Sequence, residues 1–514
     1  MSSPGVSRKR RVKKKNSEDS GSEVVIGVDV GTSTIKCSAI NNLGEILYEA
    51  SGPSAPLQQP AEGFVEVDPE DIFSRFCDVV RRVVSRIRQG SVLLSLSTMT
   101  PVLILTDREG KPVRPAILYN DSRTTSILKE LNKGEVGRML FNINGNVANV
   151  QQWGPKWLWL KKYESENYRR TKKIFDLASF IIYKLTGEHV IDLTAAQEGG
   201  FLDYRTRKWS GDLLSAFDVD DSALPSLKAT TDIVEELKLD AKEKLGAPRG
   251  MSIKVNAGCV DAIASLISMG HVKKNELSFV VGSTGIIALS TTHPRPDRRL
   301  YLDLSPVEGQ YLVNGGTAAA GLFFDYVLDL LGVGEPRYAR AEELAMRSQA
   351  GSRGVVMLPY IYGERTPIFD PLAKSVFFGL TSQVKQGEII RGSMEAIAFS
   401  FLHHIKILKE KGYQYTKIRV TGGATRSNIM LQTLADVMQT ELTCYRDVSP
   451  TVGNAMIGFI GLGIIKDWTQ VERWIGKGET VLPNRTKAAE YSWKFKVYLD
   501  LYQKLKEHFH ARSP

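Results

Sequence analysis

The chain has 514 residues, which is too long for one ordinary hydrophobic core and favours two large domains. Hydrophobic residues make up 42% and charged residues 24% of it, as in soluble globular proteins. No uninterrupted apolar run reaches the roughly 18 residues that a membrane-spanning helix needs, and the N-terminus lacks the apolar segment of a secretory signal. We therefore expect a cytoplasmic protein that does not enter membranes. The four scattered cysteines show no metal-ligand spacing and are expected to be reduced and buried.

The net charge of +10 is divided unevenly along the chain. Residues 1–20 hold seven Lys or Arg and two acidic residues, which gives +5, and the remaining 60 basic and 55 acidic residues give the other +5. The run RKRRVKKK at Arg8–Lys15 is typical of a nucleic-acid contact or a nuclear-localisation signal, although a solvated, disordered tail explains it better. The rest of the chain is not basic enough to predict binding to nucleic acid.

The first half of the chain alternates strand and helix patterns behind a disordered basic tail at residues 1–22. In chain order we predict a strand pair over Val24–Ile40, a helix over Asp68–Arg88, strands at Leu93–Ser97 and Val102–Thr106, helical segments over Trp153–Leu185, and strands and turns over Asp192–Trp209. The composition changes at Gly246–Met251, which indicates a domain boundary.

The second half follows a similar order. We predict a helix over Asp261–Met269, a strand pair over Leu277–Thr291, a loop-rich section over Gly354–Leu380, a long helix over Lys385–Lys411, a short strand at Ile418–Val420, a helix over Asn428–Gln439 and one amphipathic helix over Lys487–His508.

The two predicted strand pairs are alike, and they are the only duplication that the sequence contains. The first reads VVIGVDVGTSTIKCSAI and the second LSFVVGSTGIIALST. Each has an apolar strand, a tight turn of Gly, Ser and Thr, and a second apolar strand. Backbone N–H groups in such a turn point into one concavity and can hold phosphate. Two such hairpins indicate two similar domains that close on one nucleotide.

The turn of the first hairpin follows an acidic residue, Asp29. Gly31 lets the backbone approach phosphate closely, and Thr32, Ser33 and Thr34 add N–H and hydroxyl donors. Asp29 can hold Mg²⁺ directly or through water, because that ion keeps several waters and few carboxylates. The second hairpin has no acid there, so it predicts phosphate contacts alone. An ordinary hairpin would leave an acid on an apolar strand unexplained, and no GK[ST] follows that would make a Walker loop.

Asp261 follows a strand-like segment and opens a helix of small residues. An acid at this point either caps the helix or acts as a general base that takes the proton of an attacking hydroxyl during phosphoryl transfer. Gly-x-x-Asp alone favours the cap. Its place shortly before the second hairpin favours the base.

A pair of glycines, Gly422 and Gly423, follows a third strand and precedes the helix that begins at Asn428. Without side chains, the backbone there can pass close to a flat ligand such as adenine. Two glycines at the end of a strand are common, so this signal is moderate.

These motifs together resemble the FGGY family of carbohydrate kinases, within the actin-like ATPase superfamily. The matching segments occur in family order over about residues 24–465, and they are DVGTSTIK (29–36), AILYNDSRT (116–124), GPKWLWL (154–160), YKLTGE (183–188), GCVDAIASLISMG (258–270), VVGSTG (280–285), LPYIYGERTPIFDP (358–371) and TGGATRSNIMLQTLAD (421–436). The resemblance implies an α/β fold of two RNase H-like domains around a central nucleotide and sugar cleft. It implies a sugar-binding domain at 23–250, an ATP-binding domain at 251–485 and a C-terminal helix at 486–514.

The resemblance also implies roles for single residues. Asp261 is then the catalytic base, Asp29 the residue for the metal, and ATP and Mg²⁺ the cofactors. The implied contacts to ATP and its phosphates are Gly31, Thr32, Ser33, Thr34, Gly282, Ser283, Thr284, Gly285, Gly422, Gly423 and Asn428. The implied sugar contacts are Thr100, Tyr119, Asn120, Asp121 and Asp261. Asp121 has an alternative role as a turn residue that pairs with Arg123, and Gln152 and Trp153 are either sugar contacts or core residues.

The sequence departs from the family pattern at three points. Xylulokinases have a Met-His pair and glycerol kinases an Arg-Glu pair where this chain has Thr100-Pro101. The family's usual Trp is Tyr119 here. Asn454 stands where relatives commonly have Ala, and we expect it to affect helix packing below the nucleotide.

We therefore expect ATP-dependent phosphorylation of a sugar hydroxyl, with a pentulose such as D-xylulose as the first choice. Ribulose, gluconate and glycerol are alternative acceptors. A non-catalytic sugar- or nucleotide-binding regulator is the main alternative of another class, and retention of Asp29 and Asp261 argues against it. A nucleic-acid contact of the tail, a filament former on fold grounds and a homodimer are weaker expectations.

Overall fold

The computed structural model describes residues 23–88, 90–446 and 448–511. The predicted basic tail at 1–22 lies outside the described residues.

The strands of the first half are β1 (Val24–Val30), β2 (Thr34–Asn41), β3 (Ile46–Pro53), β4 (Glu66–Val67), β5 (Ser91–Thr98), β6 (Ile104–Thr106), β7 (Ala116–Ile117), β8 (Lys173–Phe175), β9 (Val190–Asp192), β10 (Leu202–Asp203), β11 (Lys208–Trp209), β12 (Ser226–Lys228), β13 (Ile233–Glu236), β14 (Ser252–Asn256) and β15 (Cys259–Val260). Those that follow are β16 (Glu276–Val281), β17 (Gly285–Thr291), β18 (Tyr301–Leu304), β19 (Tyr311–Thr317), β20 (Val356–Leu358), β21 (Val376–Phe378), β22 (Lys417–Thr421), β23 (Leu442–Cys444) and β24 (Glu479–Val481).

Helices surround these strands. In chain order they are α1 (Pro69–Val84), α2 (Thr125–Leu131), α3 (Glu135–Asn144), α4 (Trp153–Tyr163), α5 (Ser165–Arg170), α6 (Leu177–Thr186), α7 (Leu193–Gly199), α8 (Gly211–Phe217), α9 (Leu239–Lys244), α10 (Asp261–Ser268), α11 (Gly321–Leu330), α12 (Arg337–Met346), α13 (Gln386–Glu410), α14 (Asn428–Met438), α15 (Pro450–Gly461) and α16 (Ala488–His510).

Two mixed sheets organise the described residues, and they share one strand order. The central run of the first is β3-β2-β1-β5-β14, and that of the second is β19-β17-β16-β22-β23. In each run the first three strands pair antiparallel and the last two join in parallel. The predicted duplication is thus confirmed at the level of whole sheets, and with it the two-domain α/β fold.

The first sheet is covered on both faces, and its central strand β1 accordingly has apolar side chains on both sides. Val24, Ile26, Val28 and Val30 of β1 belong to one hydrophobic cluster, while Val25 belongs to the other. This alternation follows from the two-residue period of a strand. The cluster on the first side also contains the apolar face of α1, a helix that begins after its cap Asp68.

The opposite face of β1 is covered by α15, although this helix comes more than 400 residues later in the chain. α15 packs on β1, β5 and α10. The approach is close at Gly27, where a Cβ atom would stand 2.0 Å from the carbonyl oxygen of Thr451. Any larger residue at 27 would therefore push α15 away from the sheet. This packing places residues of both halves beneath the cleft.

Most predicted elements are confirmed, but one prediction was wrong. Within Asp192–Trp209, which we predicted as strands and turns, Leu193–Gly199 forms α7. The Asp192 side chain caps this helix by accepting from the N–H groups of Thr194 and Ala195, and Gly200 ends it with a φ of +99°. A capping Asp and a terminal Gly were both readable in the sequence.

The division at residue 250 remains a prediction. The first sheet continues past that point, because β14 at Ser252–Asn256 and β15 at Cys259–Val260 both pair with β5. The predicted C-terminal helix corresponds to α16, Ala488–His510. Within the described residues, none of the helices has the length and apolar character that a membrane crossing requires.

Candidate active site

A cavity of about 290 Å³ opens between the two halves of the molecule. Its walls come from the segments that follow β5 and β15, from the segment before α4, from α7, and from β17, β18 and β19 of the second sheet. Asp261 lines it, and so does Thr284 at the tip of the second hairpin. The cavity therefore brings the predicted base and one predicted phosphate contact to a common space.

Asp261 is the first residue of α10, directly after β15. The N-cap position belongs to Val260, and one Asp261 carboxylate oxygen accepts from the N–H of Ala262 at 2.6 Å. Burial, followed by the negative charge of Asp29, raises the pKa of Asp261 to about 7. A carboxylate with that pKa can accept a proton near neutral pH and release it again.

Asp29 is buried near the end of β1, with 7% of its surface exposed. It lies opposite Ser97 in the parallel register of β1 and β5, and the Ser97 hydroxyl donates to its carboxylate at 3.0 Å. Burial raises the pKa of Asp29, while the hydrogen bond from Ser97 lowers it. The side chain is thus held in one orientation at the open end of the strand.

Asn454 of α15 supports this arrangement from below. Its amide donates to the Val28 carbonyl at 2.7 Å and to the Ser97 hydroxyl at 2.9 Å. The Cys259 thiol approaches the Asn454 side-chain oxygen at 3.6 Å. Asn454 therefore ties β1, β5 and β15 together beneath both carboxylates, a contact that Ala could not make.

The turns of the two hairpins have similar backbone closures. The Gly31 N–H donates to the Thr34 carbonyl at 3.1 Å, and the Gly282 N–H donates to the Thr284 carbonyl at 3.0 Å. Ser33, Ser283 and Thr284 are exposed at the tips, whereas Thr32 is partly covered and its hydroxyl faces the Met99 sulfur. Gly285 begins β17 without room for a side chain, because a Cβ would lie 2.6 Å from Thr317.

The third predicted nucleotide segment follows β22. Gly422 has a φ of +105°, and a Cβ there would lie 2.5 Å from the Val281 carbonyl oxygen of the second hairpin. Gly423 is exposed and would place a Cβ in open space. Asn428 is also exposed, and its side-chain oxygen accepts from Arg446 at 3.0 Å. The structure thus brings the glycine pair beside the second hairpin.

Within the described residues, no group of three or more His, Cys, Asp or Glu is arranged to hold a metal alone. Mg²⁺ binds through one or two carboxylates together with phosphate and water. Asp29 supplies one such carboxylate beside the exposed turn of the first hairpin. The residues present therefore fit a nucleotide-bound Mg²⁺.

On the acceptor side, Thr100 and Tyr119 line the cavity. The Thr100 hydroxyl lies 3.2 Å from an oxygen of Asp176, whose other oxygen accepts from the Val102 N–H at 2.8 Å. Burial raises the pKa of Asp176 to about 6. Sequence reasoning missed Asp176, although an acid before an apolar helix was a usable signal.

Two predicted sugar contacts are not brought to the cavity. Asn120 is exposed and stands outside its lining. Asp121 is fully buried, with its carboxylate engaged by the Arg123 guanidinium at 2.8 Å and by the Val65 N–H at 2.6 Å. For Asp121 the structure favours the alternative role, a turn residue paired with Arg123, because both of its oxygens already have partners.

Other polar residues line the cavity and were missed. Of the two residues with alternative roles, Gln152 lines the cavity, whereas Trp153 is fully buried in the hydrophobic core. The missed set consists of Asn146, Asn149, Gln151, Glu198, Tyr301, Asp303, Asn314 and Arg365. Arg365 lies within the quoted GERTP motif, but the others carried no local signal, because they meet only through the fold.

A doubled α/β sheet, two glycine-rich hairpins with exposed tips and a carboxylate with a pKa near neutrality fit a phosphotransferase of the actin-like fold. Family models agree with this class: residues 24–268 match the N-terminal domain and residues 277–462 the C-terminal domain of the FGGY family of carbohydrate kinases. The chain belongs to this family, and it is a carbohydrate kinase.

Individual relatives cover nearly the whole chain. A xylulose kinase of Staphylococcus xylosus is 28% identical over 93% of this chain and 99% of its own length. The crystal structure of xylulose kinase from Rhodospirillum rubrum superposes with a TM-score of 0.88 at 29% identity, over 95% of this chain and all of that one. A gluconokinase of Bacillus subtilis is 23% identical over 94% of this chain and 96% of its own.

Proposed function

We propose that this kinase transfers the γ-phosphoryl group of ATP to a terminal hydroxyl of a pentulose, with D-xylulose as the acceptor. The observation that carries the proposal is the shared cavity. Asp261 and Thr284 stand on walls that come from opposite halves of the molecule, and both face the same space. An acceptor in this cavity would have a base on one side and a phosphate-binding turn on the other.

Asp261 is the proposed general base. It accepts the proton of the sugar hydroxyl as that oxygen attacks, and its pKa of about 7 suits this task at neutral pH. The hydrogen bond from Ala262 orients one carboxylate oxygen. Such proton transfer contributes roughly 10²–10⁴ to the rate.

The two hairpins are proposed to hold the phosphates. Asp29, Thr32, Ser33 and Thr34 would serve on one side, and the segment Gly282–Gly285 on the other. Mg²⁺, when bound with ATP, supplies positive charge that offsets the charge spread over the transferred group. The glycine pair at Gly422-Gly423 and the exposed Asn428 would border the adenosine. Closure of the two halves would exclude water, so that the sugar rather than water attacks.

D-Xylulose is favoured because the full-length relative from Staphylococcus xylosus and the structure from Rhodospirillum rubrum are both named xylulose kinases. Thr100, held by Asp176, and Tyr119 are the proposed acceptor contacts on the first half. Ribulose, gluconate and glycerol are the competing acceptors. A cytoplasmic location, a homodimer and a contact of the basic tail with nucleic acid remain predictions.

The test is ATP consumption by the purified protein with D-xylulose, D-ribulose, D-gluconate, glycerol and a hexose. We expect D-xylulose to give the highest kcat/KM and Asp261→Asn to abolish the stimulation. If no acceptor raises ATP consumption above the background, the proposal fails. A non-catalytic binding protein would then show sugar-dependent thermal shifts without turnover.

A further inference from the structure

Two carboxylates that the proposed mechanism does not use face the acceptor cavity. Glu198 comes from α7 of the first half, and Asp303 comes from β18 at the edge of the second sheet. Burial and then the negative charge of Asp303 raise the pKa of Glu198, and burial raises the pKa of Asp303 to about 6, so Asp303 carries the negative charge of the pair at neutral pH. The cavity therefore has an acidic wall built from both halves.

The backbone around this pair is fixed by a seam between the halves. The Asn146 side chain donates to the Leu302 carbonyl at 2.8 Å and accepts from the Leu302 N–H at 2.8 Å. Gln197 donates to the carbonyls of Asn144 and Leu302. Because Gln197 precedes Glu198 and Leu302 precedes Asp303, the seam sets where the two carboxylates stand.

The pair has few partners within the protein. Asp303 accepts from the Asn314 amide, and Glu198 has no side-chain hydrogen bond to the described residues. Among the described residues, neither carboxylate has a Lys, Arg or His within salt-bridge distance. Arg365 also lines the cavity, but it donates to the Thr317 carbonyl at 3.1 Å. Three carboxylates, counting Asp261, thus face the cavity with one guanidinium.

We infer that Glu198 and Asp303 determine acceptor specificity, by accepting hydrogen bonds from hydroxyls of a neutral sugar and by repelling the carboxylate of a sugar acid. This inference rests on the proposed function. The ionised Asp303 carboxylate only accepts hydrogen bonds, so hydroxyl groups satisfy it and a second carboxylate does not. Like charges brought together in a desolvated site repel each other, and this repulsion is a means of rejecting a wrong ligand.

Relatives of this chain are named xylulose kinase and gluconokinase, so D-xylulose and D-gluconate are the two acceptors to compare. D-Xylulose is neutral along its whole length, and D-gluconate carries a carboxylate at one end. The acidic wall should therefore favour D-xylulose and discriminate against D-gluconate, although the Thr100-Pro101 segment lacks the polar pair expected of a xylulokinase.

The experiment compares kcat/KM for D-xylulose and D-gluconate in wild type, Glu198→Gln, Asp303→Asn and the double variant. Glu308→Gln is the matched control, because Glu308 is exposed on the loop after β18. We expect wild type to prefer D-xylulose by roughly a hundredfold, and the double variant to narrow this ratio at least tenfold by raising kcat/KM for D-gluconate. The control should leave the ratio unchanged.

A wild-type preference for D-gluconate, or a ratio that stays within threefold in the double variant, would overturn the inference. A melting curve shows whether Asp303→Asn keeps its fold despite the altered pairing with Asn314. Glu198→Gln leaves the charge of Asp303 in place and should therefore change the ratio less than Asp303→Asn does. If wild type phosphorylates neither sugar, the proposed function fails by itself. Calorimetric binding of both sugars would then still test the acidic wall, because the double variant should bind D-gluconate more tightly than wild type does.

Discussion

The two hairpins have the same fold but different chemistry, and the difference lies in one pair of facing residues. In the first, Asp29 lies beside Ser97, whose hydroxyl donates to the carboxylate at 3.0 Å. In the second, Val280 and Thr421 occupy the corresponding places, and the Thr421 hydroxyl instead donates to the Tyr445 carbonyl at 2.7 Å. The duplicated sheet therefore supplies a carboxylate on one side and only backbone and hydroxyl groups on the other.

The same asymmetry extends below the hairpins. Helix α15 lies against the first sheet and brings Asn454 to Ser97 and Val28. Around the second hairpin, by contrast, backbone groups dominate: Gly321 and Leu322 donate their N–H groups to Gly282 and Ser283. The first hairpin is thus surrounded by a carboxylate and side-chain hydrogen bonds, whereas the second is surrounded by close backbone contacts, in line with the separate roles proposed for the two halves.

The largest effect should come from removing the carboxylate that distinguishes the first hairpin. Asp29→Asn keeps the hydrogen bond with Ser97 but loses the charge that we propose binds Mg²⁺, so we expect kcat to fall by roughly 10²–10³. Thermal stability should not fall, because burial raises the pKa of Asp29 and its ionised form is costly in the folded state. Steady-state kinetics and a melting curve check both, with the exposed Asp78→Asn as control. Unchanged kcat would contradict the assigned difference.

The next largest effect is expected at the second hairpin, where two neighbouring glycines test the importance of close backbone contact. Gly422→Ala forces a Cβ to 2.5 Å from the Val281 backbone at a φ of +105°, and we expect it to weaken ATP binding at least tenfold and to destabilise the protein by about 1–3 kcal/mol. Gly423→Ala meets no atom within 4 Å, so the folded protein should retain its stability. A normal melting temperature for Gly422→Ala would show that the backbone contact is not needed.

The pH dependence should follow Asp261. Because the proposed base must be ionised, kcat/KM should fall about tenfold per pH unit below the pKa of Asp261, about 7. Stability should change in the opposite direction: the raised pKa means that the folded state holds a proton that the unfolded state loses, so stability is lost as the pH rises from about 4 to 7. Asp261→Asn should flatten this part of the stability profile. A wild-type activity profile that is flat from pH 6 to 8 would exclude Asp261 as the base.

The smallest effect is expected from Asn454→Ala. It removes the donors to Ser97 and Val28 without touching the cavity lining. We expect a loss of kcat of about three- to tenfold and a destabilisation of about 1–3 kcal/mol, since buried groups lose their partner. Asn454→Asp, which keeps the size and loses the amide donors, separates hydrogen bonding from packing. If both variants match wild type, the support from α15 has no role.

Sequence reasoning reached the hairpins and their acids because their signals are local. A strand, a turn and an acid within ten residues identify Asp29, and a strand followed by a helix identifies Asp261. The acidic wall was not accessible in this way, because Glu198 and Asp303 are separated by more than 100 residues and meet only when the two halves pack. Asp121 shows a different limit: Arg123 is two positions away, so pairing and sugar binding were equally plausible until the buried contacts of Asp121 were seen.

The most direct experiment determines two quantities for Asp261→Asn and for wild type: kcat with D-xylulose, and the dissociation constant for ADP in the presence of Mg²⁺. If the first half supplies the chemistry and the second half holds the nucleotide, kcat should fall at least a hundredfold while the dissociation constant for ADP stays within about twofold of wild type. A variant that keeps its kcat, or that loses nucleotide affinity in proportion to kcat, would contradict this division of roles.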